Sequence, residues 1–238
     1  MGKAIFITGT DTGVGKTFFS CGLAAFLKTA GYKVGVMKPV ETGCVAKDGQ
    51  LFPDDAWRLK QASSCAEAID LICPYRLAEP LAPSIAAERA GVKIDIDCLL
   101  DVCRDISAKH DFTLVEGAGG LMVPLVPSFT FADFARVAKL PIIVVAANKL
   151  GVINHLLLTL EHAGCKGLPT VGYVLNQLSR EISLAAETNR EVLAGMTGVP
   201  CLGELPFVGE PVSFAGETLD RLEQALDMRW LELALRNP

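Results

Sequence analysis

Gly9-Thr10-Asp11-Thr12-Gly13-Val14-Gly15-Lys16-Thr17 is the stretch on which the fold turns. It follows an apolar run, Lys3–Thr8, and opens a helical pattern, Lys16–Ala30; that strand–turn–helix context is what a phosphate-binding loop requires. Glycines let successive backbone N–H groups curl toward an anion without Cβ clashes, and the helix N-terminus adds a favourable dipole. Lys16 then reaches the β- and γ-phosphates, and the Thr17 hydroxyl is suited to Mg²⁺. One departure stands out: the usual spacing puts its first glycine five positions before Gly15, where this chain has Thr10, and Gly9 sits one earlier.

Outward from the loop, short apolar runs alternate with longer helical periodicity. Lys33–Met37, Phe112–Val115, Pro141–Ala147, Thr170–Leu175 and Val199–Gly203 join Lys3–Thr8 as predicted strands. They are apolar along their length, as strands are when helices cover both faces of a parallel sheet. Asp95–Lys109, Thr130–Lys139, Ile153–Ala163, Ser183–Ala194 and Leu219–Leu235 read as helices. So does Lys16–Ala30, which Gly31 stops and whose Phe19, Leu23, Phe26 and Leu27 share a face. The alternation predicts an α/β fold, a doubly wound and mostly parallel sheet with helices on both faces, in one domain over residues 1–238. Two stretches interrupt it. Glu41–Asp55, rich in Gly, Asp and Lys, is expected as a loop that orders on binding, and Tyr75–Ala90, with Pro80 and Pro83, as an irregular connection. Substrate sites are built in such places.

Half of the 238 residues are hydrophobic and 21% are charged, which suits a packed core and excludes a disordered chain. A net charge of −5 gives no footprint for a nucleic-acid backbone, so no nucleic-acid partner is expected. The eight cysteines form no CxxC pair, and buried thiols in a reducing compartment are expected rather than disulfides or a metal cluster. At the N-terminus Lys3 precedes only the short run Ala4–Ile7, and Ile142–Ala147 is far too short to cross a bilayer. A cytoplasmic protein with no membrane partner is expected.

A loop of this kind needs a second magnesium anchor, an acidic residue at the end of a neighbouring strand. Thr113-Leu114-Val115-Glu116-Gly117-Ala118-Gly119-Gly120 supplies Glu116, with glycines behind it that permit close approach to a ligand; the competing role for Glu116 is a cap or turn residue. Lys38, in Met37-Lys38-Pro39-Val40, ends the second strand on the carboxyl edge where doubly wound sheets bind ligands. By position alone it is equally a solvated strand end. Thr42 and Gly43 follow as candidates for a small substrate. Asp54-Asp55-Ala56 opens the next helix, and either aspartate can cap it or reach the metal; the pattern does not separate them. His110, His155 and His162 stand in no triad or metal spacing, so histidine-driven catalysis is not expected. Asn148-Lys149-Leu150-Gly151 lacks the aspartate of a guanine-reading motif, Gly151 standing in its place, and adenine is the expected base.

With these residues placed, the chain resembles the dethiobiotin synthetases, of the P-loop NTPase type, over nearly its whole length. The match rests on Gly9–Thr17; Lys38-Pro39-Val40-Glu41-Thr42-Gly43; Asp55-Ala56 with Leu59; Pro74-Tyr75-Arg76 with Glu79-Pro80 and Ala82-Pro83; Val115-Glu116-Gly117-Ala118-Gly119-Gly120; Leu150-Gly151-Val152-Ile153-Asn154-His155; and Gly203-Glu204-Leu205-Pro206. The resemblance implies an ATP- and Mg²⁺-dependent ligase of biotin biosynthesis that joins 7,8-diaminononanoate to CO₂ (or bicarbonate) and closes the cyclic urea of dethiobiotin. It passes through a carbamate and a carbamic–phosphoric anhydride, with Lys16 and Lys38 facing the carbamate and γ-phosphate.

It further implies a nucleotide-contacting set of Gly13, Val14, Gly15, Lys16, Thr17, Phe18, Asp55, Glu116, Gly117, Ala118, Gly119, Asn176 and Pro206, the last two near adenine, with magnesium held by Thr17, Asp55 and Glu116. Thr42 is implied at the diamine end. The substrate carboxylate is implied to meet backbone donors of the Leu150, Gly151, Val152, Ile153, Asn154 turn of a second subunit, hence an active homodimer with sites at its interface. Gly13 replaces an acidic residue frequent in that family. Two other readings compete. A partition- or cell-division-type switch ATPase carries an extra lysine near the start of the loop, where this chain has Asp11; a related ATP-dependent synthetase acting on another acid shares the loop but not the Asn154-His155 turn.

Overall fold

β1 (Lys3–Gly9) leads through the glycine-rich turn into α1 (Lys16–Thr29) and on to β2 (Val34–Met37). In the computed structural model, which describes residues 3–209 and 214–227, the chain then makes a long excursion before returning to the sheet. The excursion comprises β3 (Val40–Thr42), β4 (Val45–Lys47), β5 (Gln50–Phe52), α2 (Asp54–Ser63), α3 (Ile69–Ile72), β6 (Tyr75–Leu77) and α4 (Pro83–Ala90). α5 (Ile96–Ala108) feeds β7 (Phe112–Gly120), and the small β8 (Pro124–Val126) and β9 (Phe129–Thr130) lead to α6 (Phe131–Val137). The remainder alternates: β10 (Ile142–Ala147), α7 (Val152–Cys165), β11 (Thr170–Asn176), α8 (Leu184–Met196), β12 (Cys201–Leu205) and α9 (Glu217–Ala225).

Six strands pair in the order β12-β11-β10-β1-β7-β2, every neighbour parallel. Side chains alternate across this sheet. Ile5 and Ile7 face a core shared with Val34, Val36, Leu114 and Val145 and with α1, α2 and α9. Phe6 faces the opposite core, with Met37, Val115 and Val144 and with α5, α6, α7 and α8. The predicted doubly wound sheet is therefore present. Its topological reversal falls at β1, so the glycine-rich turn sits at the carboxyl edge where such sheets open a crevice.

Three expectations need correction. Glu41–Asp55 is not a loop awaiting a ligand: β4 and β5 form an antiparallel hairpin across Asp48-Gly49, whose φ values of 52° and 78° suit a two-residue turn of the primed kind. The Lys47 ammonium lies 3.7 Å from the Phe52 ring centroid, which adds a cation–π contact to the hairpin. Tyr75–Ala90 is likewise ordered. β6 pairs in parallel with β3, and Pro83 starts α4 at the first helical position, where a missing N–H costs nothing. Leu219–Leu235 is not one helix either: α9 ends at Ala225, and Leu226 turns extended to bridge Gly203 beside β12. Residues 228–235 of that expectation lie outside the described residues.

Cysteine usage also differs. All eight thiols are free, but Cys98 and Cys165 are exposed, on helix positions that face away from the sheet. Among the described residues no helix is long and apolar enough to cross a membrane.

Candidate active site

Strand alternation delivers the charged residues to one face. Lys38 follows β2 with the parity of Val34 and Val36, and Glu116 has the parity of Phe112 and Leu114 on β7; all point toward the α1 side. Glu116 is completely buried. One of its carboxylate oxygens accepts a hydrogen bond from the Thr17 hydroxyl on α1 at 2.8 Å and from the Lys38 ammonium at 2.6 Å. The other, Oε2, is buried with no hydrogen-bond partner. An orphaned buried carboxylate oxygen is costly and points to a missing cation.

Lys38 also donates to Asp55 Oδ2 at 2.7 Å. Burial by itself would lower the Lys38 pKa, but the carboxylates of Glu116 and Asp55 reverse this and raise it above the ordinary lysine range. Lys38 is thus a fixed cation and not a solvated strand end. For Asp55, burial pushes its pKa up, and the opposing Lys38 charge and hydrogen bond bring it below the usual carboxylate range.

A third carboxylate takes the capping role that either Asp54 or Asp55 could have filled. Glu41, on β3, accepts the backbone N–H groups of Asp55 and Ala56, each at 3.0 Å, and so caps α2 in place of either aspartate. Asp54 is spent on Arg58 one turn ahead, at 2.7 Å on the surface. Asp55 is left facing the cleft. Burial, then the neighbouring Asp55 charge, pushes the Glu41 carboxyl up to about 7.

The phosphate loop is held from behind. Gly13 and Gly15 have φ of 73° and 91°. A Cβ on Gly15 would stand 2.0 Å from Asn176 Nδ2, which donates to the Val14 carbonyl at 2.9 Å. Val14 accordingly contributes backbone to the loop while its side chain joins the core. Lys16 folds back on its own loop, donating to the Asp11 carbonyl at 3.0 Å. Burial, then the Lys38 charge, lowers its pKa to about 8.

Two hollows meet at this loop. A cleft of about 870 Å³ is lined by Thr12, Gly13, Lys16, Lys38, Thr42 and Asp55, and is closed by Pro80–Pro83 with Ala118 and Gly119. A smaller one, about 300 Å³, is lined by Phe18, Asn176, Gln177, Pro206 and Phe214. Gly15, Thr17 and Arg58 line both. Of the residues named from sequence for nucleotide, metal and diamine, all but Val14, Glu116 and Gly117 line one of the two hollows. Gly117 is buried, a Cβ there meeting Phe6 at 2.7 Å, and it lies behind the wall that Ala118 and Gly119 form. The Leu150–Asn154 turn lies outside the cleft of its own chain: Leu150 is 84% exposed, Gly151 opens α7 with φ 93°, Ile153 is half-buried and Asn154 exposed, while Val152 anchors into the core.

The roles of Glu41, Arg58 and Phe214 were not reached from sequence. Arg58 carries a faint signal, one helical turn after the aspartate pair. Phe214, whose ring centroid lies 5.6 Å from that of Phe18, carries none.

An oxygen-donor set of Thr17, Asp55 and Glu116 fits a hard divalent cation. Among the described residues no group of three or more His, Cys, Asp and Glu side chains is placed to hold a metal ion by itself.

A family profile described as an AAA domain matches residues 3–211. Among solved structures, the septum site-determining protein MinD from Pyrococcus horikoshii, complexed with Mg-ADP, is 20% identical with a TM-score of 0.53, covering 97% of this chain and 89% of that one. The cell division ATPase MinD of Pyrococcus furiosus is 19% identical at 0.55, covering 98% and 99%. At such identity these establish the fold alone. Curated relatives are nearer. The ATP-dependent dethiobiotin synthetase BioD of Thermodesulfovibrio yellowstonii is 40% identical over 218 residues, 88% of this chain and 91% of the relative. That of Bacillus licheniformis is 36% identical over 233 residues, 97% and 98% of the two chains. With the phosphate loop, the buried lysine and its two carboxylates in one cleft, and relatives of this similarity spanning nearly the whole length, the chain belongs to the ATP-dependent dethiobiotin synthetase family.

Proposed function

We propose that this chain is an ATP- and Mg²⁺-dependent ligase that converts 7,8-diaminononanoate and CO₂ to dethiobiotin. One amine adds to CO₂, forming an N–C bond and losing a proton to give a carbamate. A carbamate oxygen attacks the γ-phosphorus of ATP, and ADP leaves. The second amine attacks the carbonyl carbon of the mixed anhydride, closing the ring as phosphate departs. A carbamate resists amine attack because oxide is a poor leaving group, and phosphorylation corrects this. No side-chain nucleophile is needed. The protein supplies position and charge.

The observation that carries the reading is the buried Lys38, 2.6–2.7 Å from Glu116 and Asp55 and beside Thr17, at the cleft that also holds Lys16. Lys38 neutralises charge where carbamate and γ-phosphate crowd together, and Lys16, with its depressed pKa, regains a full charge as phosphate oxygens approach. Thr17, Asp55 and Glu116 would hold magnesium, whose bound form offsets charge on the phosphates. Thr42 lines the same cleft for the diamine end. Phe18, Asn176 and Pro206 form the adenine side.

The carboxylate end is read as the business of a second copy. Its Leu150–Asn154 turn is exposed, and apolar Leu158, Ile182 and Leu184 stand exposed as well, at 58%, 64% and 82%. Light scattering on the purified protein should give a dimer, and a fully active monomer would refute this part. For the reaction itself, phosphate release from ATP should require both diaminononanoate and bicarbonate. Release that needs neither, or that DNA or lipid stimulates, would refute it.

A further inference from the structure

Arg58 sits in the neck between the two hollows. It is on the second turn of α2, and with Gly15 and Thr17 it is shared by the linings of both. A nucleotide whose base rests against Phe18 and Asn176, and whose terminal phosphate reaches Lys16, has to pass this neck. The part of the nucleotide at that point is the ribose 5′-oxygen and the α-phosphate, since the β- and γ-phosphates belong to Lys16. Gly15 and Thr17 make one wall and Arg58 stands in the other. The side chain is half exposed and, among the described residues, pairs with Asp54 at 2.7 Å one turn back. An exposed i,i+4 pair is worth little, so it exchanges readily for a denser anion. A guanidinium presents a planar fork of donors that suits two non-bridging phosphate oxygens.

We propose that Arg58 releases Asp54 on nucleotide binding and grips the α-phosphate, setting nucleotide affinity without touching the reacting atoms. The inference rests on the ATP reading above and names a contact that the phosphate loop does not require. It also explains why the two hollows join at a cation and not at an apolar side chain.

The test is calorimetric titration of ADP, AMP and adenosine, with magnesium, into the full-length protein and the variants Arg58→Ala, Arg58→Lys and Asp54→Asn. Arg58→Ala should weaken ADP and AMP by about tenfold, as loss of a charge-assisted hydrogen bond at a partly exposed site does, and leave adenosine unchanged. Arg58→Lys should recover part of the loss. Asp54→Asn should bind ADP at least as well as the parent, since it frees the guanidinium. Equal weakening of adenosine would make Arg58 an apolar wall, and an Asp54→Asn variant as weak as Arg58→Ala would make the pair a helix brace; either result overturns the proposal. So does parental ADP affinity in Arg58→Ala. If the parent itself binds no nucleotide, the ATP reading and this contact fail together.

Discussion

Replacing Lys38 by methionine keeps the volume of the side chain and deletes the charge. In the folded protein Lys38 is 3% exposed and its ammonium serves two carboxylates, Glu116 at 2.6 Å and Asp55 at 2.7 Å. Water screens part of the Asp55 share, because that side chain is 39% exposed; Glu116 is 0% exposed and carries most of the cost. Breaking a buried pair by removing one partner costs about 3–5 kcal/mol, and the partial exposure of Asp55 favours the lower end, about 3 kcal/mol. For a chain of this size that lowers the midpoint of thermal unfolding by about 6–12 °C.

Two further readouts identify the cause. Without Lys38, burial is left to push the folded-state pKa of Asp55 upward, so the variant recovers stability as pH falls, and its gap to the parent narrows toward acid pH. Magnesium should also stabilise the variant more than the parent, since the ammonium no longer competes for Glu116 and Asp55. Scanning calorimetry at neutral and acid pH, with and without magnesium, reads all three. Turnover should be lost while ATP still binds. A variant that melts with the parent at pH 7, with the same magnesium response, refutes the idea that Lys38 is the resident counter-ion of the site.

Three other outcomes follow from the same geometry. Lys16, held at about 8, is partly neutral at pH 8 in the free protein, and nucleotide phosphates restore its proton, so binding at that pH should take up protons; a binding enthalpy independent of the buffer's ionisation enthalpy would contradict this. With its folded pKa below the unfolded value, Lys16 should also make the free protein gain stability as pH rises from about 8 toward 10.5, a gain that bound ATP removes. Gly15→Ala forces a Cβ to 2.0 Å from Asn176 Nδ2 at φ 91°, combining left-handed strain of about 1–2 kcal/mol with the loss of a buried hydrogen bond. Nucleotide affinity should fall by at least tenfold, and near-parental binding would mean that the loop does not need this close approach.

The sheet and the phosphate loop were legible because the signals are local: unbroken apolar strands, glycine punctuation and a helix opening on Lys16. Glu116 was legible because it ends an apolar run. Within the excursion, Glu41–Asp55 and Tyr75–Ala90 were misread as loop because most of their elements are only three residues long, too short for periodicity. Yet Asp48-Gly49 between Val45 and Leu51 is a hairpin signal, and Pro83 is a helix start. Lys38 stayed undecided until partners from α2 and β7 were in view, since only distance in space separates a solvated lysine from a buried counter-ion. The capping role of Glu41 could not be found: the helix it caps starts 13 residues later, and no sequence spacing encodes such a contact.

That cap has a consequence for anyone reshaping the substrate range of this fold. Glu41 is the immediate neighbour of Thr42, and its carboxylate holds the first turn of the helix that presents Asp55. Moving the strand outward to admit a bulkier diamine would drag the helix start and its aspartate along with it. Room for a new substrate is thus linked to the placement of Asp55, and Pro80–Pro83 offers no independent wall, since β6 pairs with β3 and the Gly43 N–H donates to the Glu79 carbonyl at 3.3 Å.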